Sequence, residues 1–128
     1  MWDFIRLKMA QLFPSLEKIK DFKVKPEPGE LCLLEFLQTN LNDSYEIYFQ
    51  PFLNGDNPDI IIMRKGSGVL IIEVKDWRLE SYYIDSDQKW RLKSNDAFIK
   101  SPISQVESYK DNLYYLHIDQ LLRRKVEN

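Results

Sequence analysis

The chain has 128 residues, 44% of them hydrophobic and 13% aromatic, enough for one packed core while two separate cores would each be marginal, so a single domain over 1–128 is expected. With 18 basic and 20 acidic side chains the formal net charge is -2; the whole chain lacks the electrostatic footprint of a tight duplex-DNA binder, and any grip on nucleic acid must be local or borrowed from a neighbour. The single Cys32 and single His117 exclude an internal disulfide and the common zinc sites, and no apolar run reaches the roughly 18 residues of a membrane span.

Residues 1–28 read as an N-terminal arm in which Trp2, Ile5, Met9, Leu12 and Phe13 recur at helical spacing before Pro14, Pro26 and Pro28 interrupt. Asp3, Arg6 and Lys8 break the apolar run and no small-residue cleavage site follows, unlike a secretory leader, so a soluble cytoplasmic protein is expected. Pro28-Gly29-Glu30 opens a helix with Leu31, Leu33, Leu34, Leu37 and Leu41 as its apolar positions. The aromatic and β-branched segment from Tyr45 to Phe52 reads as a strand. Asp59 to Met63 and Val69 to Lys75, joined through Lys65-Gly66-Ser67-Gly68, read as a hairpin at the centre of a sheet, buried on both faces. A second hairpin is expected from Glu80 to Leu92. Ser101 as cap and Pro102 at the first helical position begin a last helix with Ile103, Val106, Leu113, Leu116 and Leu121, ending in Arg123-Arg124-Lys125. The order of elements points to an α/β or α+β fold.

Within this frame a few polar residues stand out. In a strand, side chains two apart share a face, so Glu73 and Lys75 project together from an apolar segment where an unpaired charge is costly. Asp59 begins the partner strand after Pro58 and falls near the Glu73 end of the hairpin. Two carboxylates that close repel each other, and a hard cation such as Mg²⁺ or Mn²⁺ removes the cost. At about 100° per residue, Leu34, Leu37 and Leu41 lie within about 40° of Glu30, whereas Glu35 lies about 140° away, so Glu30 shares the stripe facing the sheet. A glutamate at a helix start also serves capping, and Glu73 with Lys75 could form a structural ion pair; both readings stay open.

Pro58-Asp59, a hairpin and then Glu73-Val74-Lys75 match the PD-(D/E)xK nuclease signature. Gly29-Glu30 before a Leu-rich helix, Gly68 to Trp77, and Ser101-Pro102-Ile103-Ser104-Gln105 resemble one branch of it, the nuclease-related domain (NERD), over roughly Pro28 to Leu121. The resemblance implies a restriction-endonuclease-like core at 29–121, a mixed central sheet with antiparallel hairpins flanked by two helices. It implies Asp59 and Glu73 as metal ligands, helped by the backbone carbonyl of Val74, with Glu30 completing the site directly or through a water. Lys75 would then activate water and stabilise charge on the phosphate, and Gln105, four residues before Tyr109, would support the site. Family members often form the N-terminal part of larger proteins with helicase or kinase modules, and their sheet usually continues past the second helix, so this chain is expected to be part of a longer one.

Two functions of different class follow. One is a metal-dependent deoxyribonuclease acting in DNA processing or repair. The other is a non-catalytic nucleic-acid-binding or docking module serving a helicase-type ATPase partner, which the acidic balance would suit. Self-association into a homodimer through an open sheet edge or the apolar arm is a third property the pattern leaves room for. Trp77, Trp90, Tyr82 and Tyr83 could stack on nucleobases, though packing among themselves accounts for them more simply.

Overall fold

A computed structural model describes residues 9–53 and 55–114. They fall into two compact units divided between Val74 and Lys75. Among the described residues no helix is long and apolar enough to cross a membrane.

The first unit holds β1 (Gln11–Phe13), α1 (Leu16–Lys20), α2 (Pro28–Asn40), β2 (Tyr45–Phe49), β3 (Ile60–Arg64) and β4 (Gly68–Ile72). Its four strands form one mixed sheet in the order β1-β2-β3-β4, with β1 parallel to β2 and the other pairs antiparallel. The α+β expectation holds, and the parallel strand makes the sheet mixed. Helical spacing misreads the end of the arm: Leu12 and Phe13 lie in β1, where Leu12 is buried and its neighbours are exposed, the alternation of a strand. Residues 1–8 of the arm lie outside the described residues.

The core gathers on one face. Ile47 and Phe49 of β2 and Ile60 and Ile62 of β3 meet Leu34 of α2 and Ile19 of α1, with Leu33, Leu37, Ile72 and Val74 packed around them. Glu35 on the far side of α2 is exposed, 3.5 Å from Lys20. The β3–β4 hairpin turns through Gly66, whose φ of +79° suits a residue without a Cβ. The expectation of burial on both faces holds for β3, where Ile60, Ile61 and Ile62 are all buried, but not for β4, which is an edge strand among the described residues, with Val69 39% and Leu70 57% exposed.

The second unit holds a single 3₁₀ turn (Leu79–Ser81), β5 (Tyr82–Ile84), β6 (Trp90–Leu92) and α3 (Pro102–Asn112). The expected hairpin is present as the antiparallel pair β5–β6. Its turn is held by Asp85, which accepts from the backbone N–H groups of Asp87 and Lys89 and from the Arg91 guanidinium at 2.7 Å. Ser101 caps α3 by accepting from Ser104 N–H, with Pro102 at the first position as expected. Leu116, His117, Leu121 and the Arg123-Arg124-Lys125 run lie outside the described residues.

Candidate functional site

The β3–β4 ladder ends at the pair Ile60↔Ile72, short of the strand end expected at Lys75. Pro58 supplies the physical reason, because a proline has no N–H to donate to the next rungs. Where the ladder would go on, a side chain takes over: Val74 N–H donates to Asp59 Oδ2 at 2.8 Å. Val74 N–H thus takes a carboxylate as its acceptor, and Asp59 is fixed beside the backbone of Glu73-Val74.

The faces follow from alternation. Ile60, Ile72 and Val74 all pack toward the core, so Asp59 and Glu73, each next to one of them along the chain, are directed to the opposite face of the hairpin. Both are half-buried, and Oε2 of Glu73 is shut off from solvent. With Ile60 paired to Ile72, Asp59 and Glu73 are the residues next beyond the last pair of the ladder.

Glu30 reaches the same end of the sheet from the helix side. It is 5% exposed, and Glu27 N–H donates to its Oε1 at 3.0 Å, the half of a capping box in which the side chain of the first turn reaches back. Its other oxygen accepts from Gln50 Nε2 at 3.3 Å. Gln50 follows β2, and its own backbone N–H donates to the Asp59 carbonyl at 2.8 Å. One residue so connects Glu30 with Asp59. Gln50 holds a positive φ of 47°, a conformation that costs a non-glycine residue about 1–3 kcal/mol and that tends to cluster at functional sites.

Glu30, Asp59 and Glu73 are not gathered into one shared ligand set. Among the described residues no group of three or more histidine, cysteine, aspartate or glutamate side chains stands close enough to hold a metal ion. Glu30 is placed by the core-facing stripe of α2, whereas Asp59 and Glu73 come from the two chain segments just beyond the last β3–β4 pair. Gln50 was not identified from the sequence, and the only signal for it is its place at the end of a strand ahead of a Gly- and Pro-containing turn.

Lys75 and Gln105 belong to the second unit. Because β4 closes at Ile72, a shared strand face for Glu73 and Lys75 is not part of the paired sheet. The Lys75 ammonium stands over the Trp77 ring, 5.4 Å from its centroid, and Trp77 stacks on Tyr82 at 4.5 Å and tilts against Trp90 at 6.2 Å. These aromatics thus pack on one another. Gln105 Nε2 donates to Tyr109 Oη at 3.0 Å, joining the two positions expected to share one face of α3.

A comparison with protein families matches the nuclease-related domain profile to residues 25–128. No match was found among curated proteins or among solved structures.

Proposed function

This chain belongs to the nuclease-related domain family, and from that premise we propose that it hydrolyses phosphodiester bonds of DNA with the help of Mg²⁺ or Mn²⁺. The observation that carries the reading is the bond from Val74 N–H to Asp59 Oδ2, which holds the Asp59 carboxylate against the backbone of the Glu73-Val74 segment. The donors fit a hard cation: they are carboxylate oxygens, one of them withdrawn from solvent, with neither thiolate nor imidazole nearby in sequence. Mg²⁺ commonly takes one or two carboxylates and keeps several waters, so two acids suffice where a three-acid cage is absent.

Asp59 and Glu73 would hold the cation, with the Val74 carbonyl as a neighbouring donor and Glu30 acting through a water. When bound, the ion supplies Lewis acidity toward the phosphate and acidifies a water. The protein's own contribution is charge and position. Asp59 is held by Val74 N–H and, through its carbonyl, by Gln50. Lys75, next after Val74 along the chain, would contribute an ammonium to offset charge developing on the phosphate, and the family pattern gives Gln105 a supporting role. The proposal extends to a cytoplasmic role in DNA processing or repair, with a helicase or ATPase module as partner.

Cleavage of supercoiled and single-stranded DNA with Mg²⁺ or Mn²⁺ tests the proposal. Asp59→Ala, Glu73→Ala and Lys75→Ala should each lose about 100-fold or more in rate, the order expected when one group stabilising a transition state is removed. Equal activity in the wild type and Glu73→Ala removes the reading. The absence of a three-acid group among the described residues favours a second reading, a non-catalytic module that binds DNA for a partner enzyme. A calorimetric titration without divalent-ion binding, together with DNA binding indifferent to EDTA, selects it.

A further inference from the structure

The second unit contains a cavity of about 500 Å³ that the proposed chemistry does not use. Its size lies within the roughly 300–1,000 Å³ of clefts that take small ligands. Lys89, Trp90, Phe98, Lys100, Ser101 and Ser104 contribute to its wall, and no aspartate or glutamate does. In a chain of net charge -2 that local imbalance is informative. Among the described residues neither lysine is in an ion pair. Asp85 of the same hairpin is engaged with Arg91 at 2.7 Å, and Asp96 beyond it with the Tyr83 hydroxyl at 2.6 Å.

The aromatic part of the wall is held in place before any ligand arrives. Phe98 is 65% exposed, a costly position for a large apolar ring. The Arg91 guanidinium lies 3.8 Å from its centroid and is itself fixed by Asp85 and by the Asp96 carbonyl at 2.8 Å. One side of the ring is thus backed by a locked cation while most of the residue stays open. Trp90 is half-buried against Trp77. Rigid rings lose little entropy on contact, and every nucleobase offers a π-face to such a platform. Unpaired lysines beside them suit phosphate oxygens. The first turn of α3, opened by Ser101, adds amide dipoles of the same sign.

We propose that this cavity binds one nucleotide of single-stranded DNA, with its phosphate at Lys89 and Lys100 and its base on Phe98 and Trp90. Naming DNA as the ligand rests on the nuclease reading above; the pocket chemistry itself does not. The site supplies the local grip that the overall charge denies.

The test is binding of a fluorescently labelled oligothymidylate to the full chain in EDTA, across a salt series, so that cleavage plays no part. Each lysine–phosphate contact to a single strand contributes about 0.7 to the slope of log affinity against log salt, so Lys89→Gln with Lys100→Gln should lower it by about 1.4. Arginine at both positions should restore it. Phe98→Ala should weaken binding by about fivefold or more for oligothymidylate, and leave an abasic strand of equal length unaffected. An unchanged slope in the double glutamine variant overturns the proposal, as does wild-type protein that does not bind. Binding that depends on these residues in a protein that never cleaves DNA sinks the nuclease reading alone. Cleavage accompanied by DNA binding that ignores Lys89, Lys100 and Phe98 sinks this inference alone.

Discussion

Replacing Asp59 separates its two roles, because one is visible without metal and the other is not. Asp59→Ala removes the acceptor of the Val74 N–H, a bond of 2.8 Å to a charged oxygen. Such bonds contribute about 1.5–3 kcal/mol, and since Asp59 and Val74 are only half-buried, water can replace part of the loss, leaving about 1–2 kcal/mol. Asp59→Asn keeps an oxygen in place but gives up its charge, and a neutral acceptor is roughly half as strong, so it should cost about 0.5–1 kcal/mol. The backbone bond from Gln50 N–H to the residue-59 carbonyl survives in both variants. A cation held by Asp59 and Glu73 stabilises the wild type by RT ln(1 + [L]/Kd), about 2.7 kcal/mol at a hundred times Kd, and should stabilise neither variant. Urea denaturation in EDTA and in excess Mg²⁺ or Mn²⁺ reads both quantities. The reasoning fails if Asp59→Asn keeps the metal-linked gain, or if Asp59→Ala is as stable as wild type in EDTA.

Gln50 gives a second contrast: Gln50→Gly should be more stable than Gln50→Ala by about 1 kcal/mol, since glycine accepts the positive φ of 47° without strain, while both lose the bond to Glu30. Equal denaturation midpoints in the two variants would show that the backbone there is not strained. If the Gln50 side chain also steadies Glu30 for the cation, Gln50→Gly should bind Mn²⁺ more weakly than wild type by calorimetry despite its better backbone; unaltered affinity would limit Gln50 to a structural role. In the second unit, the hydrogen bond from Arg91 holds the Asp85 carboxyl below its ordinary value of 3.8. A carboxyl depressed in the folded state contributes stability above its unfolded pKa and loses it as pH falls through the folded one, so the hairpin clamp should be complete at neutral pH and release only in strong acid. Carboxyl-carbon NMR should give Asp85 a midpoint below 3.8; a midpoint at or above that value contradicts the clamp.

Much of the frame was legible because it depends on local chemistry. Pro28 at the helix start, the leucine stripe with Glu30 on it, the Ser101-Pro102 cap and the glycine turn at Gly66 each follow from short-range rules, and the folded chain carries them out. Errors fell where neighbours decide. Leu12 and Phe13 fit helical spacing, but a strand emerges because β2 offers a parallel edge, a partner more than thirty residues away along the chain. Val69 to Ile72 is as apolar as a central strand and yet lies at an edge, since composition records what a residue prefers and not how many strands were laid down beside it.

The candidate site shows the same division on a finer scale. A place for Asp59 beside the Glu73-Val74 backbone could be read from hairpin register, since the ladder ending at Ile60↔Ile72 leaves Asp59 and Glu73 as the next residues on each strand. Glu30 could be given an angle on its helix but not a depth, and that angle, correct as it is, turns it toward the core, where it is 5% exposed. One residue nonetheless links Glu30 with Asp59. Gln50 does so, by leaving β-geometry just past Phe49, so that its amide side chain meets Glu30 as its backbone holds Asp59. If the three acids act together, their coupling runs through this strained residue, and Glu30→Gln should disturb metal affinity about as much as loss of the Gln50 side chain does, with no further loss when both are changed, because contacts in one chain of bonds are not additive.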